Sequence, residues 1–385
     1  MALSWPARCS LLILAAALIA VAAPGAPGAP GAPVAPAAPV APVAPAAAAA
    51  PAAPAVSADE AAVWASAASC RAVVAGARHR LAGRGSPARL RLGAWNIEWF
   101  PDHTDIAWLA CAIAWLDVDL LAVSEMRDNE RARARLAELL SELARLTGAV
   151  WQADLQRCGP AASQHTGFLW NAERLRLAAA DDVWALNARA RGPEEPCAGW
   201  LRPGRHGYFL PARGGGPGFH AIAVHLKSGA TPEDAAERGE ALARLGQAMA
   251  ALKRDGERVV LLGDFNSMGD GLPGSAEAEV EGLYRLAAAA EPALAAPLPP
   301  ACSEYYRARG GRRGEGGLLD HVLASGAMGA VAAGSARVSG YCALAGCAPI
   351  SPWVRRARPA AYLSLSDHCP VVLELGDAML SRTMN

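Results

Sequence analysis

From Asp59 onward, short apolar runs of strand length alternate with stretches of helical periodicity. Apolar residues recur at Ile106, Leu109, Ile113 and Leu116, which predicts a helix behind a Thr104 cap. They recur again at Leu136, Leu139, Leu140, Leu143 and Leu146, with Gly148 as the stop. A third helix is expected behind a Thr231 cap with Pro232 at its first position, running through Leu242, Leu245, Met249 and Leu252 to a stop near Gly256. Between these lie five strand-length runs: Leu90 to Trp95, Leu120 to Val123, Phe219 to Val224, Val259 to Leu262 and Val371 to Leu375.

Four of those runs end in a polar residue that a buried strand would not choose: Asn96, Glu125, His225 and Asp264. A further polar pair, Asp367-His368, leads into the last run. One such residue is explained by a cap or a turn. Carboxylates, two histidines and an asparagine together at strand ends point instead to a site built on rigid elements for a metal ion and a phosphate.

The first 58 residues have a different texture. Arg8, the apolar run Leu11 to Ala22 and the small residues Ala20-Val21-Ala22 read as a signal peptide over 1–22, too short to span a bilayer as an anchor. Residues 23–58 are an Ala/Pro-rich linker in which proline recurs every third residue from Pro24 to Pro45. That period stacks prolines along one edge of a polyproline II helix, a semi-rigid spacer of up to ~110 Å. The catalytic domain is then expected over 59–385. Lys+Arg and Asp+Glu both number 36, which excludes a polybasic arm or an acidic tail as the basis of function. Of 9 cysteines, Cys9 falls in the signal, and the remaining even set suits an oxidising compartment, secreted or periplasmic. Pairings of Cys342–Cys347, Cys70–Cys111 and Cys158–Cys197 are expected, with Cys369 a candidate free thiol inside an apolar run.

In chain order, Trp95-Asn96-Ile97-Glu98, Ser124-Glu125-Met126, Val224-His225-Leu226-Lys227-Ser228, Gly263-Asp264-Phe265-Asn266, Leu319-Asp320-His321-Val322 and Ser366-Asp367-His368-Cys369-Pro370 resemble the endonuclease/exonuclease/phosphatase superfamily, the deoxyribonuclease-I-like fold. The resemblance implies an α/β four-layer sandwich, two mixed β-sheets packed face to face with helices outside. It implies a Mg²⁺ site, with Mn²⁺ or Ca²⁺ as alternatives, in which Glu125 is the principal ligand and Asn96 and Asp367 lie near the cation. Asp264 would orient or deprotonate the attacking water, with Asn266 on the same face of an extended segment. His225 and His368 would bind the scissile phosphate, Asp320 would orient His368, and Arg202 would contact phosphate, with Arg205 as its competitor. Gln164 is the candidate support for His225.

The other polar and aromatic residues are read as structural. Glu98 is expected at a surface or strand edge and His321 in a structural role. His103, His165, His206 and His220 are placed on the surface or in loops, and Trp95, Trp99, Trp108 and Trp115 in the core. The resemblance implies a secreted phosphodiesterase, a DNA endonuclease by preference. The alternative is a sphingomyelinase-like phosphodiesterase acting on a phospholipid head group, or a phosphatase, and a non-catalytic binding module on the same fold is a third reading. No obligate protein partner is implied, and a monomer is expected. Arg-bearing loops at Leu201 to Gly207, Arg213 to Gly218 and Arg307 to Gly317 favour DNA, while Trp353 suits either a membrane or a nucleotide.

Overall fold

A computed structural model describes residues 56–376, apart from 85–88, 160–162, 188, 191, 193, 196, 198–201, 214–215, 255–257, 290–301, 307–313, 326–327, 329–335 and 352–357. The expected signal peptide, nearly all of the linker, Trp353 and the arginines from Arg307 to Arg313 lie outside the described residues. The elements begin with helices α1 (Ala58–Val63) and α2 (Ala67–Arg84), strand β1 (Leu90–Phe100), α3 (Ile106–Leu116), β2 (Leu120–Met126) and α4 (Glu130–Thr147). Strands β3 (Trp151–Leu155), β4 (His165–Asn171), β5 (Leu175–Val183), β6 (Gly204–Pro211) and β7 (Phe219–His225) follow. Then come α5 (Pro232–Arg254), β8 (Val259–Asp264), α6 (Ser275–Ala289), β9 (Glu304–Tyr306), β10 (Glu315–Gly317) and β11 (Asp320–Ala324). The last elements are β12 (Arg337–Val338), α7 (Tyr341–Ala345), α8 (Ala360–Ser364) and β13 (Val371–Leu375).

All five expected strands form, and the three expected helices span their apolar periodicities. The α3 cap is Asp105, not Thr104: the Asp105 carboxylate accepts from the Trp108 N–H. Thr231 does cap α5, accepting from Asp234 N–H while Asp234 accepts from the Thr231 hydroxyl.

Two mixed sheets result. One has the order β12-β13-β1-β2-β4-β3 and the other β11-β8-β7-β6-β5, with β9 and β10 as a separate hairpin. Alternate residues of each strand fill the space between the sheets: Leu92 and Ala94, Leu120 and Ala122, Ala221 and Ala223, Val260 and Leu262, Val322 and Ala324, Val371 and Leu373. The intervening residues face helices, with α1–α4 on the first sheet and α5 and α6 on the second. This is the four-layer sandwich.

Four disulfides brace it: Cys70–Cys111, Cys158–Cys197, Cys302–Cys347 and Cys342–Cys369. The expected Cys342–Cys347 pair is corrected. Cys342 lies on the buried side of α7, where its backbone N–H reaches the Cys369 sulfur, while Cys347 lies past the left-handed Gly346 cap and turns toward Cys302. Cys369 is therefore not a free thiol.

Candidate active site

The period of two places the polar residues. On β1, Asn96 continues the inward face of Leu92 and Ala94; on β7, His225 continues that of Ala221 and Ala223. On β8, Asp264 follows Val260 and Leu262, and on β11, Asp320 precedes Val322 and Ala324. All four therefore point into the seam between the sheets at one end. The strand registers hold them together: His225 pairs Asp264 across parallel β7 and β8, and Asp320 pairs Asp264 across antiparallel β8 and β11. Gly263 permits the close approach, with φ at 138° and an added Cβ falling 2.1 Å from the Val224 carbonyl. Glu125 breaks the alternation, which would place it with Val123 on the helix side. Its φ of 60° turns it back to Asn96.

Asn96 Nδ2 donates to Glu125 Oε1 at 3.1 Å and to Asp264 Oδ2 at 3.0 Å, while its oxygen accepts from Glu98 N–H. His225 Nε2 lies 3.5 Å from Asp264 and 3.9 Å from Glu125. His368 Nδ1 contacts Asp320 Oδ2 at 2.7 Å, and its Nε2 lies 3.9 Å from both Asp264 and Glu304 and 4.0 Å from Asp367. Ser303 Oγ accepts from the N–H groups of Leu319 and Asp320, and Ser366 Oγ accepts from His368 N–H while donating to the Asn96 carbonyl.

Arg202 reaches the same place. Its guanidinium donates to Gln164 and to the carbonyls of His225 and Leu226. Arg205 is instead sealed in β6 between Asp154 and Asp182. Of the two, Arg202 is therefore the one placed at the site, and part of the first Arg-bearing loop is strand. Gln164 serves Arg202, and His225 Nδ1 has no hydrogen-bond partner.

Several other expectations change. Asn266 is not in an extended segment: with φ at 50° it turns back, so that its N–H braces Asp264 Oδ1 and its amide holds the Leu226 carbonyl. Glu98 joins the site edge, accepting from Asp367 N–H and lying 3.2 Å from His103. His165 is buried in β4, and His206 and His220 stack on neighbouring strands rather than in loops. His321, one residue out of phase with Asp320, packs on the helix side against Tyr284 and Ser267. Trp99 is 40% exposed, outside the core assigned to it.

The site residue that the motifs missed most completely is Glu304. It lies on a three-residue strand with no apolar run, and the pairing of its segment with His368-Cys369 brings it in. Burial, reinforced by Asp367, Asp264 and Asp320, pushes its pKa up to about 8 despite His368. Burial likewise raises Asp367 to about 7, helped by Glu98 and Glu125 and opposed by His368. The two histidines diverge. Burial, then the charges of Arg202 and His368, hold His225 well below its ordinary value. Burial opposes the charged form of His368 too, but Asp320, Asp264 and Glu304 outweigh it and hold that pKa well above.

Two donor groups, Asp264–Asp320–His368 and Glu304–Asp367–His368, each fall within 4.8 Å. With His368 held charged, the oxygen donors of these groups are what fits a hard divalent cation, and Glu125, outside both groups, is tied to Asp264 through Asn96.

Such a seam of carboxylates and imidazoles between two stacked sheets belongs to a defined class. Residues 93–368 match the model of the Endonuclease/Exonuclease/phosphatase family, and the chain belongs to that family. Its members are divalent-metal-dependent phosphoester hydrolases. Similar solved structures include a family member from Bacteroides thetaiotaomicron, at 16% identity, 74% of this chain, 97% of that chain and TM-score 0.45. Truncated TDP2 from Caenorhabditis elegans gives 16%, 75%, 98% and 0.46. A mannosyl-6-phosphatase from Bacteroides thetaiotaomicron gives 15%, 74%, 98% and 0.44. No curated protein sequence matches the chain.

Proposed function

We propose that the protein is an exported, Mg²⁺-dependent phosphodiesterase that cleaves DNA as an endonuclease. The observation that carries this reading is the meeting of Glu125, His225 and His368 around the Asp264 carboxylate, all within 4 Å of one another's polar atoms or of Asp264. Glu125 and Asp367 would hold the cation, and Asn96 would fix Glu125 and Asp264 beside it. Bound there, the ion neutralises charge on the phosphoryl oxygens.

The remaining work falls to the chain itself. Asp264, braced by the Asn266 N–H, orients and deprotonates the attacking water. His368, held charged by Asp320, donates to a phosphoryl or leaving-group oxygen, and neutral His225 contacts the phosphate from the other side. Arg202 adds a fixed positive charge behind His225. Four disulfides support maturation in an oxidising compartment, for which the signal-like 1–22 segment and the linker would deliver residues 59–385. No helix among the described residues is long and apolar enough to cross a membrane.

The test is a Mg²⁺-dependent panel on purified mature protein with plasmid DNA, RNA, sphingomyelin and inositol phosphates. Plasmid nicking that stops with EDTA and in Glu125→Ala is expected. Full activity in the chelated enzyme or in the variant would refute the metal assignment. Supercoiled plasmid left intact while sphingomyelin is hydrolysed would give the site to a lipid.

A further inference from the structure

Next to the site, β1 does something unusual. Asn96 pairs Ser124 on β2, and the next paired residues are Phe100 and Met126, so β1 spends four steps where β2 spends two. The extra residues are Glu98 and Trp99, with φ of 33° and 52°, a region that a bulky residue seldom enters. Bulges of this kind re-aim side chains beside active sites. Here the result is an indole lifted out of the strand and 40% exposed.

Trp99 is anchored through its backbone, and a guanidinium lies over its ring. Its backbone N–H donates to Glu125 Oε2 at 3.2 Å, and its carbonyl accepts from Asp102 N–H. The Arg127 guanidinium lies 5.0 Å from the ring centroid, and Arg127 in turn donates to Asp102 at 2.6 Å. Arg127 N–H also bonds the Phe100 carbonyl, closing the loop. An exposed tryptophan backed by an arginine thus lies one backbone hydrogen bond from Glu125, the expected metal ligand. It has the build of a stacking platform for a flat, electron-rich ring.

We infer that Trp99, backed by Arg127, stacks the nucleobase adjoining the scissile phosphate, so that the substrate is single-stranded nucleic acid or a locally opened stretch of duplex such as supercoiled DNA supplies. This deepens the proposed function and rests on it for the position of the phosphate. The platform reads no base edge, so recognition is sequence-tolerant, and it needs a π-face that a sugar phosphate lacks.

Binding separates this from the catalytic reading. Affinity for an oligothymidylate, and for a base-free deoxyribose-phosphate oligomer of the same length, is measured in EDTA with wild type, Trp99→Ala and Trp99→Phe. Trp99→Ala should weaken oligothymidylate binding by about 5- to 150-fold, the range of one lost base–aromatic stack. Trp99→Phe should recover most of that, and the base-free oligomer should not distinguish the three proteins. Equal oligothymidylate affinity in wild type and Trp99→Ala overturns the inference. So does loss of binding to sphingomyelin vesicles in Trp99→Ala with oligonucleotide affinity unchanged. Should the binding pattern hold while no phosphodiester is cleaved under any metal, the platform stands and the catalytic reading fails.

Discussion

Opening the Cys302–Cys347 and Cys342–Cys369 bonds should damage catalysis more than it damages the fold. Cys302 adjoins Ser303, whose hydroxyl holds the Asp320 N–H, and Cys369 adjoins His368. The two segments are joined directly by a 2.6 Å bond from Cys369 N–H to the Ser303 carbonyl. Helix α7 supplies the other half of one bond and the residue past its cap supplies the other, so one short helix clamps both segments. The sequence separations are 45 and 27, for which loop closure gives about 4 and about 3.6 kcal/mol. The loops share residues 342–347, so the two losses are not additive. At roughly 1.5 °C per kcal/mol for a domain of this size, Cys342→Ser with Cys369→Ser should lower Tm by about 5 °C. At 25 °C the variant stays folded, but release of His368 from its position by about an ångström should cost about 10²-fold in hydrolysis. Calorimetry, plasmid nicking and hydrogen exchange at 303–304 and 368 measure the three effects. A Cys342–Cys347 link in non-reducing peptide maps, or a paired variant with unchanged Tm and full activity, would refute the reasoning.

Other substitutions probe single links. Asp320→Asn should leave the fold intact but lower kcat by two or more orders of magnitude, because His368 loses the partner that keeps it charged; its pH–rate profile should move to lower pH. Gly263→Ala should destabilise by about 3 kcal/mol in urea titration, since no side chain fits at φ 138° against the Val224 carbonyl. Burial, with the charge of His220, depresses His206 to about 4, against about 6.5 in the unfolded chain. The unfolded state therefore binds more protons between those values: the contribution is complete above pH 6.5 and is lost as pH falls toward 4. It amounts to ~3 kcal/mol. Urea titrations at pH 7 and pH 4 should show a smaller difference for His206→Asn than for wild type, and equal differences would refute it.

Much of the site was legible in the chain because a strand has a fixed period. Asn96, His225 and Asp264 end runs whose alternate residues fill the space between the sheets, whereas Asp320 was reached through its motif, and only β11 shows it in phase with Val322 and Ala324 and His321 out of phase. The helices α3, α4 and α5 were legible for the same reason, their apolar stripes being local. Arg202 against Arg205 was not, since the two are three residues apart, and it takes the β5–β6 register to set Arg205 opposite Asp182 and the approach of β3 from the other sheet to bring Asp154 to it. Nor were Glu304 and the partners of Cys302, Cys342, Cys347 and Cys369. Those depend on contacts between segments far apart in sequence, which no local pattern encodes. Glu125, Asn266 and Trp99 mark the remaining gap. All three take a positive φ; Asn266 does so readily, but Glu125 and Trp99 are of types that disfavour it, and the packed tertiary structure holds them there.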